Sequence, residues 1–140
     1  MYVAHIAEEY WGGEGFSAYN LRTRGINLSP TRFLVWNGIG VLLIIFGIFM
    51  AHRFSFQEWL VVLFATLALA NGLSHLVGSI RTGEYNPGLI TGILDFVPIG
   101  GVTLFLMNRF MSRTRYWTAL LVGLGIQVVV SILALRGGRL

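Results

Sequence analysis

Apolar residues of this chain are grouped into four long blocks separated by short polar stretches. The blocks run over residues 33–51, 59–80, 89–107 and 117–135. Each is close to the roughly 20 residues that an α-helix needs to cross a hydrocarbon layer of about 30 Å. The pattern therefore predicts four transmembrane helices.

The connections between these blocks are short, and short connections favour antiparallel neighbours that are in contact. We therefore expect an all-α membrane four-helix bundle with antiparallel, up-down-up-down order and with both termini on one side. The bundle is expected to occupy residues 32–140, after a polar amino-terminal segment, residues 1–31.

Within the amino-terminal segment, residues 2–11 have the spacing of a short interfacial helix. Apolar side chains fall on one face and ionisable side chains on another, the latter being His5, Glu8 and Glu9. Glycines follow directly and end the helix. The chain does not open with a basic stretch and an apolar core, so we expect no cleavable signal peptide.

The composition supports a membrane protein: 55% of residues are hydrophobic and only 11% are charged, against roughly 25% charged in soluble domains. The sequence has no cysteine, so a metal site must use His, Asp, Glu or Asn. The net charge of +4 comes from arginines at the ends of the apolar blocks, where they anchor helices at the lipid headgroups. Membrane lipids are therefore the expected partners, and nucleic acid is excluded.

The arginines also predict the orientation of the bundle. On the side expected to hold the termini lie Arg22, Arg24, Arg32, Arg81, Arg136 and Arg139. On the other side lie Arg53, Arg109, Arg113 and Arg115. Because cytoplasmic loops carry the excess of basic residues, we expect cytoplasmic termini.

Four polar residues inside the apolar blocks fall at a similar depth: Asn37, Asn71, His75 and Asp95. At 1.5 Å per residue, all four lie within roughly 6 to 14 Å of the surface that also carries the amino-terminal segment. Asparagines in spanning helices most often form interhelical hydrogen bonds. A buried carboxylate such as Asp95 needs a cation, a metal or a proton. The layer therefore predicts a site near one membrane surface.

The stretch His5-Ile-Ala-Glu8-Glu9 resembles the signature of the HXXEE family of small bacterial integral membrane proteins. Two further motifs of that family have matches in the same order. Asn71-Gly-Leu-Ser-His75 is similar to its Asn-x-x-x-His motif, and Tyr85-Asn-Pro87-Gly88-Leu-Ile-Thr91 is similar to its Tyr-x-Pro-Gly-x-x-Thr motif. The resemblance implies a multi-pass protein of the bacterial inner membrane that carries a site, but it implies no particular reaction.

Histidine and glutamate in this arrangement are typical of a metal site. His5 paired with Glu8 or Glu9, together with His75, supplies the two imidazoles and one carboxylate of catalytic zinc or non-haem iron sites. We predict His5, Glu9 and His75 as ligands of zinc or iron. The candidate acids and bases are Glu8, Glu9 and Asp95. The candidate supporting residues are Asn37, Asn71 and Tyr85.

These features favour a metal or acid/base site at one membrane interface, in an enzyme that acts on a lipid-soluble substrate such as an isoprenoid, a quinone or a fatty-acyl compound. One alternative is a non-catalytic accessory or structural subunit that contacts partner membrane subunits, in which the polar layer fixes helix register. Another is a proton or ion path through the bundle.

Overall fold

A computed structural model describes residues 1–136, which are folded into helices joined by short turns and loops. Arg139, which entered the prediction of orientation, lies outside the described residues. The elements in chain order are α1 (Tyr2–Trp11), α2 (Phe16–Arg24), α3 (Pro30–Phe54), α4 (Gln57–Thr82), α5 (Leu89–Thr91), a π-helical turn (Gly92–Phe96), α6 (Val97–Phe110) and α7 (Arg113–Arg136).

The four long helices of the prediction are confirmed. α3, α4, the continuous run Leu89–Phe110 and α7 are each long and apolar enough to cross a membrane, which indicates a multi-pass membrane protein. The antiparallel order, the cytoplasmic termini and the bacterial inner membrane stay predictions.

Each of the four helices extends beyond its apolar block, because capping residues and not hydropathy set the ends. α3 begins at Pro30, which suits the first helical turn, and the Ser29 hydroxyl accepts a hydrogen bond from the Arg32 amide at 3.2 Å. α4 ends at Thr82, and the left-handed backbone of Gly83 closes the helix.

α4 is the centre of the bundle. It packs against α6, α7 and the π-helical turn, and only lightly against α3. Small residues permit the close approaches: Gly92 lies against the backbone of Gly72, and a Cβ on Gly100 would lie 2.8 Å from the carbonyl oxygen of Ala65. α4 therefore provides the fixed scaffold on which the polar end of the molecule is built.

Two short helices cover one end of this scaffold. α1 begins and ends as predicted and packs against α5. α2 was not predicted; its end is marked by two basic residues in the last turn and by Gly25 in a left-handed conformation, which are ordinary signals of a helix terminus. The Tyr19 hydroxyl lies 3.1 Å from the Thr82 hydroxyl and ties α2 to α4.

Candidate metal centre

Three predicted ligands lie together beneath α1. His5 and Glu9, one helical turn apart on α1, meet His75 of α4, and their ligand atoms all lie within 4.8 Å of one another. Glu9 Oε1 is 3.3 Å from His75 Nε2 and 3.8 Å from His5 Nε2. The three residues are nearly inaccessible, with 1% of His5, 6% of Glu9 and 3% of His75 exposed. The structure thus brings together the three residues that the sequence predicts as ligands.

The hydrogen bonds around His5 determine which of its ring nitrogens carries the proton. Thr91 Oγ1 lies 2.6 Å from His5 Nδ1 and donates its only hydrogen to the Glu8 carboxylate, at 2.5 Å. The hydroxyl can therefore only accept from His5, so Nδ1 is protonated and Nε2 keeps a lone pair. That Nε2 is buried and has no hydrogen-bond partner among the described residues.

His75 is held in the same tautomer by Asn86. The Asn86 amide nitrogen donates to the backbone oxygen of His75, which leaves its Oδ1 facing His75 Nδ1; both distances are 3.4 Å. An amide oxygen only accepts, so Nδ1 of His75 carries the proton and Nε2 keeps its lone pair. Asn86 is itself almost completely buried.

Two imidazole lone pairs and a carboxylate are therefore directed at one small volume. None of these groups has a proton to donate to the others in this tautomeric state, so they repel one another until a cation or a proton lies between them. Burial lowers the pKa of His5, an effect that the nearby Glu9 carboxylate only partly offsets, and this favours the neutral imidazole that binds metals.

Glu8 does not join the trio, because both of its oxygens are engaged by residues 85–91. It accepts hydrogen bonds from the Tyr85 hydroxyl at 2.6 Å, from the Ile90 amide at 2.8 Å and from the Thr91 amide at 2.7 Å. Partial burial raises the pKa of Glu8, but these bonds and the Thr91 hydroxyl outweigh it and lower the pKa to about 2. The side chain is placed as an anchor of α1, which does not suit the predicted acid or base.

Gly88 lies between the two imidazoles and requires the absence of a side chain. Its φ is 96°, and an added Cβ would be 2.6 Å from His75 Cε1 and 2.9 Å from His5 Cε1. The rings of His5 and His75 are perpendicular within 10°, with centroids 5.0 Å apart. The turn at Pro87 and Gly88 thus brings the backbone against both rings.

The structure does not bring Asp95 into the trio, although the sequence predicts it in the same polar layer. That prediction assumed α-helical spacing, which puts Thr91 and Asp95 on one face. Residues Gly92–Phe96 instead form a π-helical turn, in which the residue five positions on takes the equivalent place. Phe96 accordingly packs on the His5 ring, with centroids 4.3 Å apart, while Asp95 is half-buried on another face.

A cavity of about 310 Å³ adjoins the trio and is lined by its three members and by Asn71 and Asn37. Asn71 lies one turn before His75 on α4, and its buried Oδ1 has no hydrogen-bond partner among the described residues. Asn37 accepts a hydrogen bond from the Tyr2 hydroxyl at 3.0 Å, so it ties α3 to α1 and does not reach the trio.

Sequence reasoning missed several residues of the site. Asn86 gave one signal, since it lies within the Tyr-x-Pro-Gly-x-x-Thr motif, but its position in a loop did not reveal burial. Phe16 of α2, whose ring centroid lies 5.9 Å from that of His75, gave none, because α2 itself was not predicted.

A family model described as a protein of unknown function with an HXXEE motif matches residues 1–103. No curated protein and no solved structure matches the chain. The matched region includes α1, α4 and residues 85–91, which together supply the three residues of the trio and, among the described residues, the side chains of Thr91 and Asn86 that hydrogen-bond to its imidazoles. The match covers well over half of the chain, which therefore belongs to the HXXEE family, whose function is unknown.

Proposed function

We propose that the protein binds one divalent metal ion, zinc or iron, through His5, Glu9 and His75, and that it is an enzyme acting on a lipid-soluble substrate in the adjoining cavity. The observation that carries this proposal is the convergence of three hydrogen-bond acceptors with no donor between them. A proton could fill the site only by turning one imidazole into an imidazolium, and burial, which lowers the pKa of His5, disfavours that form.

Two imidazoles and one carboxylate, with positions left for water and substrate, are the donor set of catalytic zinc and non-haem iron sites. A metal in such a site supplies a Lewis acid that polarises a substrate oxygen or lowers the pKa of bound water. Thr91 and Asn86 act here as the partners that orient ligand imidazoles, as outer hydrogen bonds do in metalloproteins. Glu8 holds Thr91, and so acts on His5 through it.

Asn71 is the remaining polar group beside the trio. Its Oδ1 and His5 Nε2 are both buried without a hydrogen bond of normal geometry to a described residue, and Asn71 and His5 line the same cavity. The Asn71 side chain also interacts with the His5 imidazole, and we assign it the role of accepting a hydrogen bond from a water or substrate group held beside that ring. A buried amide oxygen without such a partner would cost about 1–3 kcal/mol.

The substrate assignment rests on the walls of the cavity. Trp36 of α3 and Val130 and Leu133 of α7 line it, and each is about half exposed, at 51%, 51% and 45%. These residues belong to helices apolar enough to cross a membrane, so the same walls face the hydrocarbon of the bilayer. This supports entry of a substrate from the lipid and not only from water.

The direct test is metal analysis of the full chain, purified in mild detergent, stripped with a chelator and reloaded with zinc or ferrous iron. We expect one ion per chain by inductively coupled plasma mass spectrometry. His75→Ala and the nearly isosteric Glu9→Gln should each lower the stoichiometry close to zero. His52→Ala is the matched control, because His52 is exposed at the far end of α3 and should leave the content at one.

Absence of stoichiometric metal after reloading would overturn the proposal, and so would unchanged metal content in both His75→Ala and Glu9→Gln. Elution of each variant as a single species in size-exclusion chromatography keeps a folding defect separate from loss of a ligand.

A second candidate, a subunit of a larger membrane complex, is favoured by one observation: α3 is covered by the rest of the protein over little of its length. Copurification of a stable partner in mild detergent would support it. A single species of the lone chain that retains one metal ion would count against it.

A further inference from the structure

We infer that the substrate is an amphiphile with an anionic head group, carboxylate or phosphate, which Arg24 holds at the mouth of the cavity. This inference rests on the proposed function, since it names the substrate class of the same site. It depends on one face of α2, on the partners of its two arginines and on the walls of the cavity.

One face of α2 forms part of the cavity wall. Phe16, Asn20 and Arg24 follow one another at four-residue spacing, and all three line the cavity, as expected for neighbours on a helix surface. Phe16 packs near the His75 ring, and Asn20 is buried. Arg24, at the end of the helix, is exposed, which is where a cation meets water at a cavity mouth.

The two arginines of α2 differ in their partners. The guanidinium of Arg22 donates to the carboxylates of Glu14, at 2.5 and 3.0 Å, and of Glu84, at 2.6 and 3.3 Å. Arg24, two residues later, has no ion pair or hydrogen bond to any described residue, although it lies on the cavity side. Its guanidinium is therefore a charged group at the mouth that no described residue pairs.

Arg24 also lies close to the trio. Its terminal nitrogen is 3.2 Å from the position of a Cβ on Gly78, and the Asn86 amide lies against the same position. Asn86 contacts His75, so a group bound by Arg24 is one side chain away from a proposed ligand. Guanidinium binds carboxylate and phosphate by paired hydrogen bonds.

The size and the walls of the cavity indicate where the apolar part of the substrate lies. A volume of about 310 Å³ is at the small end of the range of about 300–1,000 Å³ for ligand pockets. It accommodates a head group and the first part of a chain. The rest is expected to leave between α3 and α7, which both line the cavity and hardly contact each other in the described part of the chain.

The test uses Trp36 as a reporter, because it lines the cavity. The other three tryptophans are replaced (Trp11→Phe, Trp59→Phe, Trp117→Phe). We then measure how far probes that carry bromine on their alkyl chain quench the fluorescence of Trp36 in detergent. The probes are a fatty acid, an alkyl phosphate and the neutral alcohol of equal chain length. We expect at least one anionic probe to bind about tenfold or more tightly than the alcohol, as a charge-assisted hydrogen bond implies.

Three substitutions at arginines determine whether the preference belongs to this cation. Arg24→Gln should abolish it, and Arg24→Lys should retain part of it. Arg81→Gln, the matched control, should leave it unchanged, because Arg81 is exposed in the last turn of α4 and does not line the cavity. Equal affinity for anionic and neutral probes, or an unchanged preference in Arg24→Gln, overturns the inference.

Inorganic phosphate and acetate distinguish a lipid head group from a small anion. Neither small anion should displace the anionic probe at concentrations where an unbrominated fatty acid or alkyl phosphate displaces it. If the small anions displace the probe equally well, the proposal that the substrate is an amphiphile is overturned. Metal content is measured on the same samples. If the protein binds no metal but still prefers the anionic probe, the metal proposal fails and this inference stands. If it binds metal but does not prefer the anionic probe, this inference fails and the metal proposal stands.

Discussion

The two walls of the cavity are built in opposite ways. On one wall, α1 is joined to residues 85–91 by a dense set of short hydrogen bonds, and its Glu9 meets His75 of α4 at 3.3 Å. On the other, α3 contributes Trp36 and Asn37, but only 6% of its most apolar stretch is buried, compared with 44% for α4. One wall is fixed by directional contacts, and the other is nearly free of them.

This difference separates two requirements of a site in a membrane. Metal ligands must be held within a few tenths of an ångström, which hydrogen bonds of fixed geometry achieve. A wall that admits lipid-soluble molecules needs no such constraint, because lipid tails solvate apolar side chains about as well as protein does. We therefore expect the fixed wall to be far more sensitive to substitution than the α3 wall.

Gly88→Ala is expected to have the largest effect. The left-handed backbone alone costs about 1–3 kcal/mol for a non-glycine residue, and the new Cβ would lie within 3 Å of both imidazoles. We expect loss of bound metal together with a lower unfolding temperature in detergent. Gly83→Ala is the matched control: its φ is 69°, yet a Cβ there meets no atom within 4 Å, so stability should fall while metal is kept. Equal behaviour of the two variants would contradict the ring contact.

Thr91→Val should weaken metal binding by about 10–100-fold, the usual cost of losing a hydrogen bond to a ligand imidazole. The substitution keeps the shape but removes the hydroxyl that joins Glu8 to His5. Competition with a chelating dye measures the affinity. Thr91→Ser retains the hydroxyl and should stay close to the parent, whereas parental affinity in Thr91→Val would contradict a role of the Thr91–His5 hydrogen bond in metal binding.

Glu8→Gln should lower the free energy of unfolding of the metal-free protein by about 1 kcal/mol, because charge-assisted hydrogen bonds are replaced by neutral ones. The pKa of Glu8 is lowered from 4.5 to about 2, so its contribution is complete above pH 4.5 and is lost as the pH falls toward 2. The gap between variant and parent should close over that interval. The control is Glu58→Gln, which alters an exposed ion pair of 3.7 Å with Arg115 and should change stability by less. If the difference in stability between Glu8→Gln and the parent does not depend on pH, the Glu8 carboxylate is not its cause.

Leu43→Ala on α3 should have the smallest effect, below about 0.5 kcal/mol, since 63% of Leu43 is exposed to the surroundings of the helix. Val62→Ala in α4 removes fewer atoms, but Val62 is completely buried and should cost about 1 kcal/mol or more. Unfolding by denaturant in mixed micelles compares them. A larger loss for Leu43→Ala would mean that α3 is covered by a partner in solution.

Much of the fold was predictable because hydropathy over about 20 residues is a strong signal. Helix ends were less so: Pro30 and Gly83 mark caps, which depend on single residues and not on averages. α2 was missed because nine mostly polar residues in a glycine-flanked stretch carry no apolar period, and it becomes a helix when Tyr19 is buried against α4.

The trio was predictable because His5 and Glu9 are one turn apart and topology places His75 at the same depth. The positions of the other two carboxylates, those of Glu8 and Asp95, were not predictable. Sequence spacing gave Glu8 and Glu9 equal access to a metal, and the choice depended on which one met the amides of Ile90 and Thr91. Asp95 lies apart from the trio because one π-helical turn, just before Pro98, changes the side-chain register.

The sequence by itself determined four apolar helices, a polar amino-terminal helix and a His, Glu and His set at one depth, because these follow from periodicity and length. Only the tertiary structure decided the protonation pattern of the imidazoles, the anchoring of Glu8, the position of Asp95 outside the trio, and the place of Arg24 at the cavity mouth without a partner among the described residues. Those features depend on contacts between residues up to 86 positions apart, and distances of a few ångströms across such separations are set by packing, which no local pattern encodes.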